Sequence, residues 1–220
     1  MKTETGNQAR NQARLYGPGE YAAVKADIEQ HDLKPAAMAD AVFQINAALD
    51  SEAEDDGSEV KEMIGQEQWH LWGFTGNLYL PKRGSKGIVY IQDNPEIRNG
   101  KPFMEESELI KKLEAGDPSV RGPVQLGYKT GEISSSELAE HPYILALVRG
   151  EPGAEELKRF ADEHYDNLCL YSFDSVRQPL IRLSALYSSK FPLPQGGDGG
   201  GLAIQGYLGE YWACFGLGLQ

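Results

Sequence analysis

GIVYIQ (87–92), MEESELIKKLEA (104–115), VQLGY (124–128), SSSELAE (134–140), YILALV (143–148), GAEELKRFADEH (153–164) and LCLYSF (168–173) follow one another in one stretch of chain. Their order decides the fold. Leu109, Ile110 and Leu113 share a helical face, with Glu108 and Lys112 four residues apart and Gly116 as a stop. Ser134-x-x-Glu137 has the spacing of a capping box, and a helix opened there must end before Pro142. Leu157, Phe160 and Ala161 line a third helix. Between these lie GIVYIQ, VQLGY, the unbroken apolar run YILALV and LCLYSF, which read as strands. Strands alternating with helices of this length predict crossover units and a partly parallel central sheet flanked by helices. The fold class is α/β, in a mixed α+β form.

Working back from this stretch, residues 69–74 and 77–80 read as two strands joined by a Thr75-Gly76 turn. Residues 50–62 hold seven carboxylates against Lys61, a net charge of −6 and half of the chain's −12. Charges packed so densely resist compaction, so residues 50–65 are expected to form a solvated linker. Before it, Tyr21, Val24 and Ile28 recur with helical spacing, as do Met38, Val42, Ile45 and Leu49, with Pro35 suited to a first turn. The short connection between them predicts an N-terminal helical hairpin over 17–49. Residues 1–16, with a tandem NQAR, read as a mobile tail. Residues 66–220 then form a single α/β domain. Its C-terminal part, with strands at 180–187, 202–207 and 211–216, is expected to be antiparallel, the last two strands forming a hairpin.

A net charge of −12 excludes a phosphate-hugging nucleic-acid binder and an anionic-membrane binder as default readings. No apolar run reaches the roughly 18 residues of a membrane span. The opening residues lack the apolar stretch of a secretory signal, and Cys169 and Cys214 have no paired spacing, so a cytoplasmic, soluble chain is the expectation. Both cysteines sit in apolar strand-like segments and read as buried thiols.

Familiar motifs are missing. With Gly57 at the sixth position of a calcium loop, the twelfth position is Met63 rather than the required Glu. The second N-terminal helix offers Gln44 and Asn46 but few cations, which does not suit DNA reading. The Gly-rich segment 196–201 lacks phosphate-loop spacing and reads as a flexible loop, with a lid over a site as the other use for it. His31, His70, His141 and His164 are scattered, and no metal-ligand set or cofactor is indicated. No Ser is marked as a nucleophile.

One positional argument remains. In parallel α/β sheets, ligands bind at the carboxyl ends of the strands. GIVYIQ runs into Asp93, VQLGY into Lys129, Thr130 and Glu132, YILALV into Arg149, and LCLYSF into Asp174 and Arg177. If the strands are parallel, all seven residues reach one edge, where they can bind a small polar or anionic molecule. An alternative is a hydrolase or transferase in which Asp93, Glu132 and Asp174 hold Mg²⁺ while Lys129 or Arg149 steadies a phosphate or carboxylate. A third reading is an assembly protein, including a homodimer. Its interface would be the helical hairpin or the aromatic residues Tyr207, Tyr211, Trp212 and Phe215.

Overall fold

The computed structural model describes residues 13–52, 57–165, 167–189, 201–207 and 214–220. In chain order the elements are β1 (Arg14–Gly19), α1 (Tyr21–Gln30), β2 (Lys34–Pro35), α2 (Met38–Asp50), α3 (Ser58–Gly65), β3 (Gln68–Leu80), β4 (Ile88–Asp93), β5 (Glu96–Arg98), β6 (Lys101–Phe103) and α4 (Glu106–Glu114). They continue with β7 (Val120–Gln125), β8 (Gly131–Ile133), α5 (Ser135–Glu140), α6 (Pro142–Leu147), α7 (Glu151–His164), β9 (Asn167–Tyr171), β10 (Leu180–Ser189), β11 (Gly201–Tyr207) and β12 (Cys214–Leu219). Ten of the strands form one mixed sheet, and β5 and β6 pair separately. The mixed α+β class therefore holds, with parallel pairs β9·β11 and β3·β12 among antiparallel ones, β10·β11 included.

The organising element is β3. The Thr75-Gly76 turn does not form, and thirteen residues run through as one strand. One side of β3 pairs antiparallel with β10 along its length. The other side is shared: Leu71 and Trp72 pair with β12, and Thr75 to Leu80 pair with β4. The sheet forks between them, at Gly73. A Cβ on Gly73 would lie 3.0 Å from Met38 Cα, so only glycine lets the start of α2 sit there. The backbone N–H of Met38 donates to Thr75 Oγ1 at 3.0 Å, giving one of the helix's unpaired donors a partner.

Alternation along the strands divides the interior. Trp69 and Leu71 of β3 face α2 and α7 in the main core, with Val42, Ile45, Leu157 and Phe160. Trp72 and Phe74 face the other way, onto Tyr21, Val24 and Ile28 of α1. Beneath α4, Leu78, Ile88 and Tyr90 pack with Leu109 and Val120. Strand β4 is buried at all six positions, apolar from Ile88 to Ile91 and polar at Gln92 and Asp93.

Several expectations are corrected. Both N-terminal helices form, but they take opposite faces of the sheet rather than packing as a hairpin, and Lys34 and Pro35 between them pair with β12. The tail does not extend to residue 16, because β1 pairs with β12; residues 1–12 lie outside the described ones. Half of the acidic linker is the helix α3, whose Val60 and Met63 reach the main core at i, i+3 spacing; residues 53–56 lie outside the description. The described residues before β3 thus contribute to the same cores as the rest of the chain.

YILALV is α6, not a strand. Pro142 opens its first turn, and Tyr143, Ile144, Leu147 and Val148 are buried, an i, i+1, i+4, i+5 pattern. A short apolar run has no period that separates a buried strand from a buried helix. Removing that strand undoes the crossover series: β4·β7 and β8·β9 are antiparallel. Nor do the last two strands form a hairpin, since β3 and β10 lie between β11 and β12. Residues 196–200, Tyr211 and Trp212 lie outside the described residues, so the lid and the aromatic interface fall largely there.

Candidate functional site

With the strands no longer parallel, the seven expected residues divide between opposite ends of the sheet. At one end, β4 delivers Asp93, whose side chain is 5% exposed. Arg121 of β7 meets it with two nitrogens, Nη2 to Oδ1 at 2.6 Å and Nη1 to Oδ2 at 2.7 Å. Arg149 Nε donates to Oδ2 at 2.9 Å, and Thr75 Oγ1 donates to Oδ1 at 3.1 Å. Arg149 also forks onto Asp40 of α2 at 2.6 and 2.9 Å. Burial disfavours the Arg149 charge, but Asp40 and Asp93 outweigh it and raise its pKa.

The backbone shows how Arg149 is aimed. It follows α6 in the left-handed region, φ 64°, and the N–H of Gly150 closes onto the carbonyl of Leu145 at 2.6 Å. This is a Schellman-type helix end with arginine where glycine is usual. Asp93 and Arg149 are therefore brought together, as expected, but with Arg121, Thr75 and Asp40, which the sequence did not single out. Each Asp93 oxygen already accepts two hydrogen bonds. The cluster is a clasp joining α2, β3, β4, β7 and α6.

The other expected residues lie elsewhere. Lys129 binds both oxygens of Glu137 at 2.8 Å, and its carbonyl lies 2.9 Å from His141 Nε2. The contact with Lys129, together with hydrogen bonds from Ser134, pulls the Glu137 carboxyl down to about 2. Half-buried Thr130 leads into β8, where exposed Glu132 stands in register with Cys169. Asp174 accepts from Ser175 at 3.0 Å and pairs with Lys86 at 3.4 Å, contacts that lower its pKa. Asp93, Glu132 and Asp174 do not converge, and among the described residues no three His, Cys, Asp or Glu side chains are placed to hold one metal ion. That geometry overturns the Mg²⁺ arrangement expected from the sequence.

A second assembly forms where β3, β7 and β9 end. The loops 81–87, 126–130 and 172–179 meet there: Val176 N–H donates to the Lys86 carbonyl at 3.0 Å, and Leu126 N–H to the Gly87 carbonyl at 2.9 Å. Lys82, Arg83, Lys86 and Arg177 are all exposed. Among the described residues, Lys82, Arg83 and Arg177 make no side-chain hydrogen bond or ion pair. With Lys129 paired to Glu137, the other four cations against Asp174 give +3 in a chain of −12. Below them, Phe173 stacks edge-on to Tyr79 at 5.2 Å, and the Arg182 guanidinium lies 5.4 Å from the Phe173 ring centre. Of these loops the sequence reading named Lys129, Thr130, Asp174 and Arg177. The signal it passed over was PKRGSK (81–86), three cations between two strands of an acidic chain.

No protein-family model matches the sequence, and no curated protein matches it. A solved structure described as "Accommodation of massive sequence variation in Nanoarchaeota by the C-type lectin fold" is similar along nearly the whole length. The TM-score is 0.61 and the identity 19%, covering 96% of this chain and 99% of that chain. At that identity the likeness speaks to the fold alone. No helix among the described residues is long and apolar enough to cross a membrane.

Proposed function

Starting from a C-type lectin-like fold, we propose that the chain is a binding domain that takes a small anionic molecule where the loops 81–87, 126–130 and 172–179 meet. The observation that carries this reading is the cation excess: Lys82, Arg83 and Arg177 exposed without a partner among the described residues, beside Lys86. A local positive patch on a negative molecule attracts anions to one place while the rest of the surface repels them. The clasp at the opposite end of the sheet supports the division of labour, because its charges are spent on each other. The neighbouring structure's description, a fold that accommodates massive sequence variation, supports a frame separable from the residues that meet a ligand. Free, buried Cys169 and Cys214 support a reducing, cytoplasmic setting.

Calorimetric titration of the full chain with inorganic pyrophosphate tests the proposal. Binding should weaken steeply between 50 and 150 mM salt, in keeping with an exposed electrostatic site. The combined variant Lys82→Ala, Arg83→Ala, Arg177→Ala should lose it at unchanged melting temperature. Undiminished binding in that variant refutes the reading. A second reading, assembly of two copies, rests on Phe43, 57% exposed on α2; a sedimentation profile that stays monomeric at high concentration excludes it.

A further inference from the structure

The hairpin of β5 and β6 turns on two residues. Arg98 and Lys101 are register partners, and Asn99 and Gly100 between them have φ of 52° and 75°. This is the type I′ turn that an Asn-Gly pair favours, since both positions need the left-handed region. Arg98 forks onto Glu96 at 2.9 and 2.7 Å, and its guanidinium lies 3.6 Å from the centre of the Phe103 ring. Half-buried Ile97 packs on the α1 side of the interior.

Asparagine is among the thermolabile side chains, and Asn99 differs from the others whose side chains are described. Asn46 lies in α2 and donates to Glu156, and Asn77 lies inside β3 and donates to Ser184. Asn94 donates to the Pro35 carbonyl and is followed by Pro95, which has no N–H. Asn99 is exposed, and its side chain makes no hydrogen bond among the described residues. The N–H of Gly100 makes none there either, and a Cβ on Gly100 would meet nothing within 4 Å. The side-chain amide and the backbone nitrogen next to it are both open to solvent and to each other.

We infer that Asn99 is a modification site at which the chain deamidates spontaneously in water, and that the isoaspartyl product loosens the β5–β6 hairpin. The Gly100 nitrogen gives its proton to hydroxide and forms a bond to Asn99 Cγ. The bond from Cγ to Nδ2 breaks, and that nitrogen takes a proton from solvent and leaves as ammonia. Water then opens the succinimide at one of its two carbonyls. Opening at Cγ gives aspartate; opening at the backbone carbonyl gives isoaspartate, with the chain running through Cβ and Cγ. The added backbone carbon does not fit a two-residue turn, so the Arg98–Lys101 register and the Arg98 contact with Phe103 are lost together.

The test is incubation of the full chain at two mildly alkaline pH values one unit apart, with peptide mass mapping and enzymatic methylation of isoaspartyl carboxyls. The segment 96–103 should gain one mass unit, roughly tenfold faster at the higher pH because the attacking amide must be deprotonated. The native rate should stay within about tenfold of that in urea, since an exposed turn opens at little cost. Asn99→Asp, whose side chain suits the same turn, should show no mass gain in this segment. Chain purified in the isoaspartyl form should exchange the amide hydrogens of 96–103 at least about tenfold faster than unconverted chain. A native chain that keeps its mass while the urea-unfolded chain converts overturns the proposal, because the turn then protects Asn99. Unchanged exchange in the isoaspartyl chain overturns the loosening of the hairpin.

Discussion

Replacing Asp93 by alanine should cost the protein a large part of its stability, and the size of that loss can be worked from the clasp. Its carboxylate is 5% exposed and Arg121 is 15% exposed. Removing Asp93 leaves the Arg121 guanidinium, held by the carbonyls of Ala146 and Ser119, without its counter-charge in a site that water barely reaches. Breaking one side of a buried ion pair costs about 3–5 kcal/mol, because the remaining charge stays desolvated. For a chain of this size each kcal/mol moves the melting temperature by about 2–4 °C, so a fall of roughly 6–20 °C is expected. Asp40→Ala removes a carboxylate that is 25% exposed and touches the more exposed Arg149, and should cost only about 1 kcal/mol. Urea unfolding of both single variants and of the pair measures this. Because the two carboxylates share Arg149, their effects should not add. If Asp93→Ala costs no more than Asp40→Ala, or abolishes pyrophosphate binding at full stability, the clasp reading is wrong and Asp93 belongs to a ligand site.

Four further outcomes follow from the structure. His70, stacked on Tyr187 at 4.3 Å, has its pKa lowered by burial to about 4, and burial also lowers that of His141. Unfolding lets both take up protons, so stability should be full above about pH 6.5 and fall as pH drops from there towards 4. Urea midpoints across that range should flatten in His70→Phe. Ser134→Ala removes the capping box at the start of α5 and should cost about 1 kcal/mol by chemical denaturation. Gly153→Ala would put a Cβ 1.9 Å from the Val148 carbonyl oxygen; since backbone must move, a loss of about 1–3 kcal/mol or more is expected, measurable as a drop in melting temperature. Burial raises both thiols, Cys214 most strongly, so neither should react with a maleimide until denaturant is added.

Helical periodicity was legible wherever a helix has one wet face. Tyr21, Val24 and Ile28 of α1 and Leu157, Phe160 and Ala161 of α7 are buried as their spacing requires, and Ser134 and Glu137 form the box that their spacing implies. Legibility failed at α6, where burial of most of the helix erased the pattern and Pro142 was the better guide. It failed again at Thr75 and Gly76, where turn-forming residues serve a through-strand. Thr75 is there to bind Asp93 and the first turn of α2, and Gly76 because Met104 Sδ would come within 2.7 Å of a Cβ. The candidate site suffered from the same error. Placing YILALV as a strand made four loops share an edge, whereas antiparallel pairing sends Asp93 and Asp174 to opposite ends. Lys129, Thr130, Asp174 and Arg177 lie in the anion site's loops and were found by position, whereas Lys82, Arg83 and Lys86 were out of reach because nothing local announces that residues 81–87 meet 172–179, about 90 residues on.

Strand β12 pairs with β1, β2 and β3 at once, which bears on how the chain acquires its structure. Arg14 and Gly218 are register partners, so one loop closure spans almost the whole chain. Closures of this length are entropically expensive and slow. During synthesis β1 and the Leu71 side of β3 must wait with open edges until residues 214–219 emerge, and such edges are sites of association between chains. The α1 side of the interior stays incomplete for as long, because Gly216 lies against Val24 and Phe74. Insertion of residues 214–219 between two strands made much earlier should therefore be a late, cooperative step.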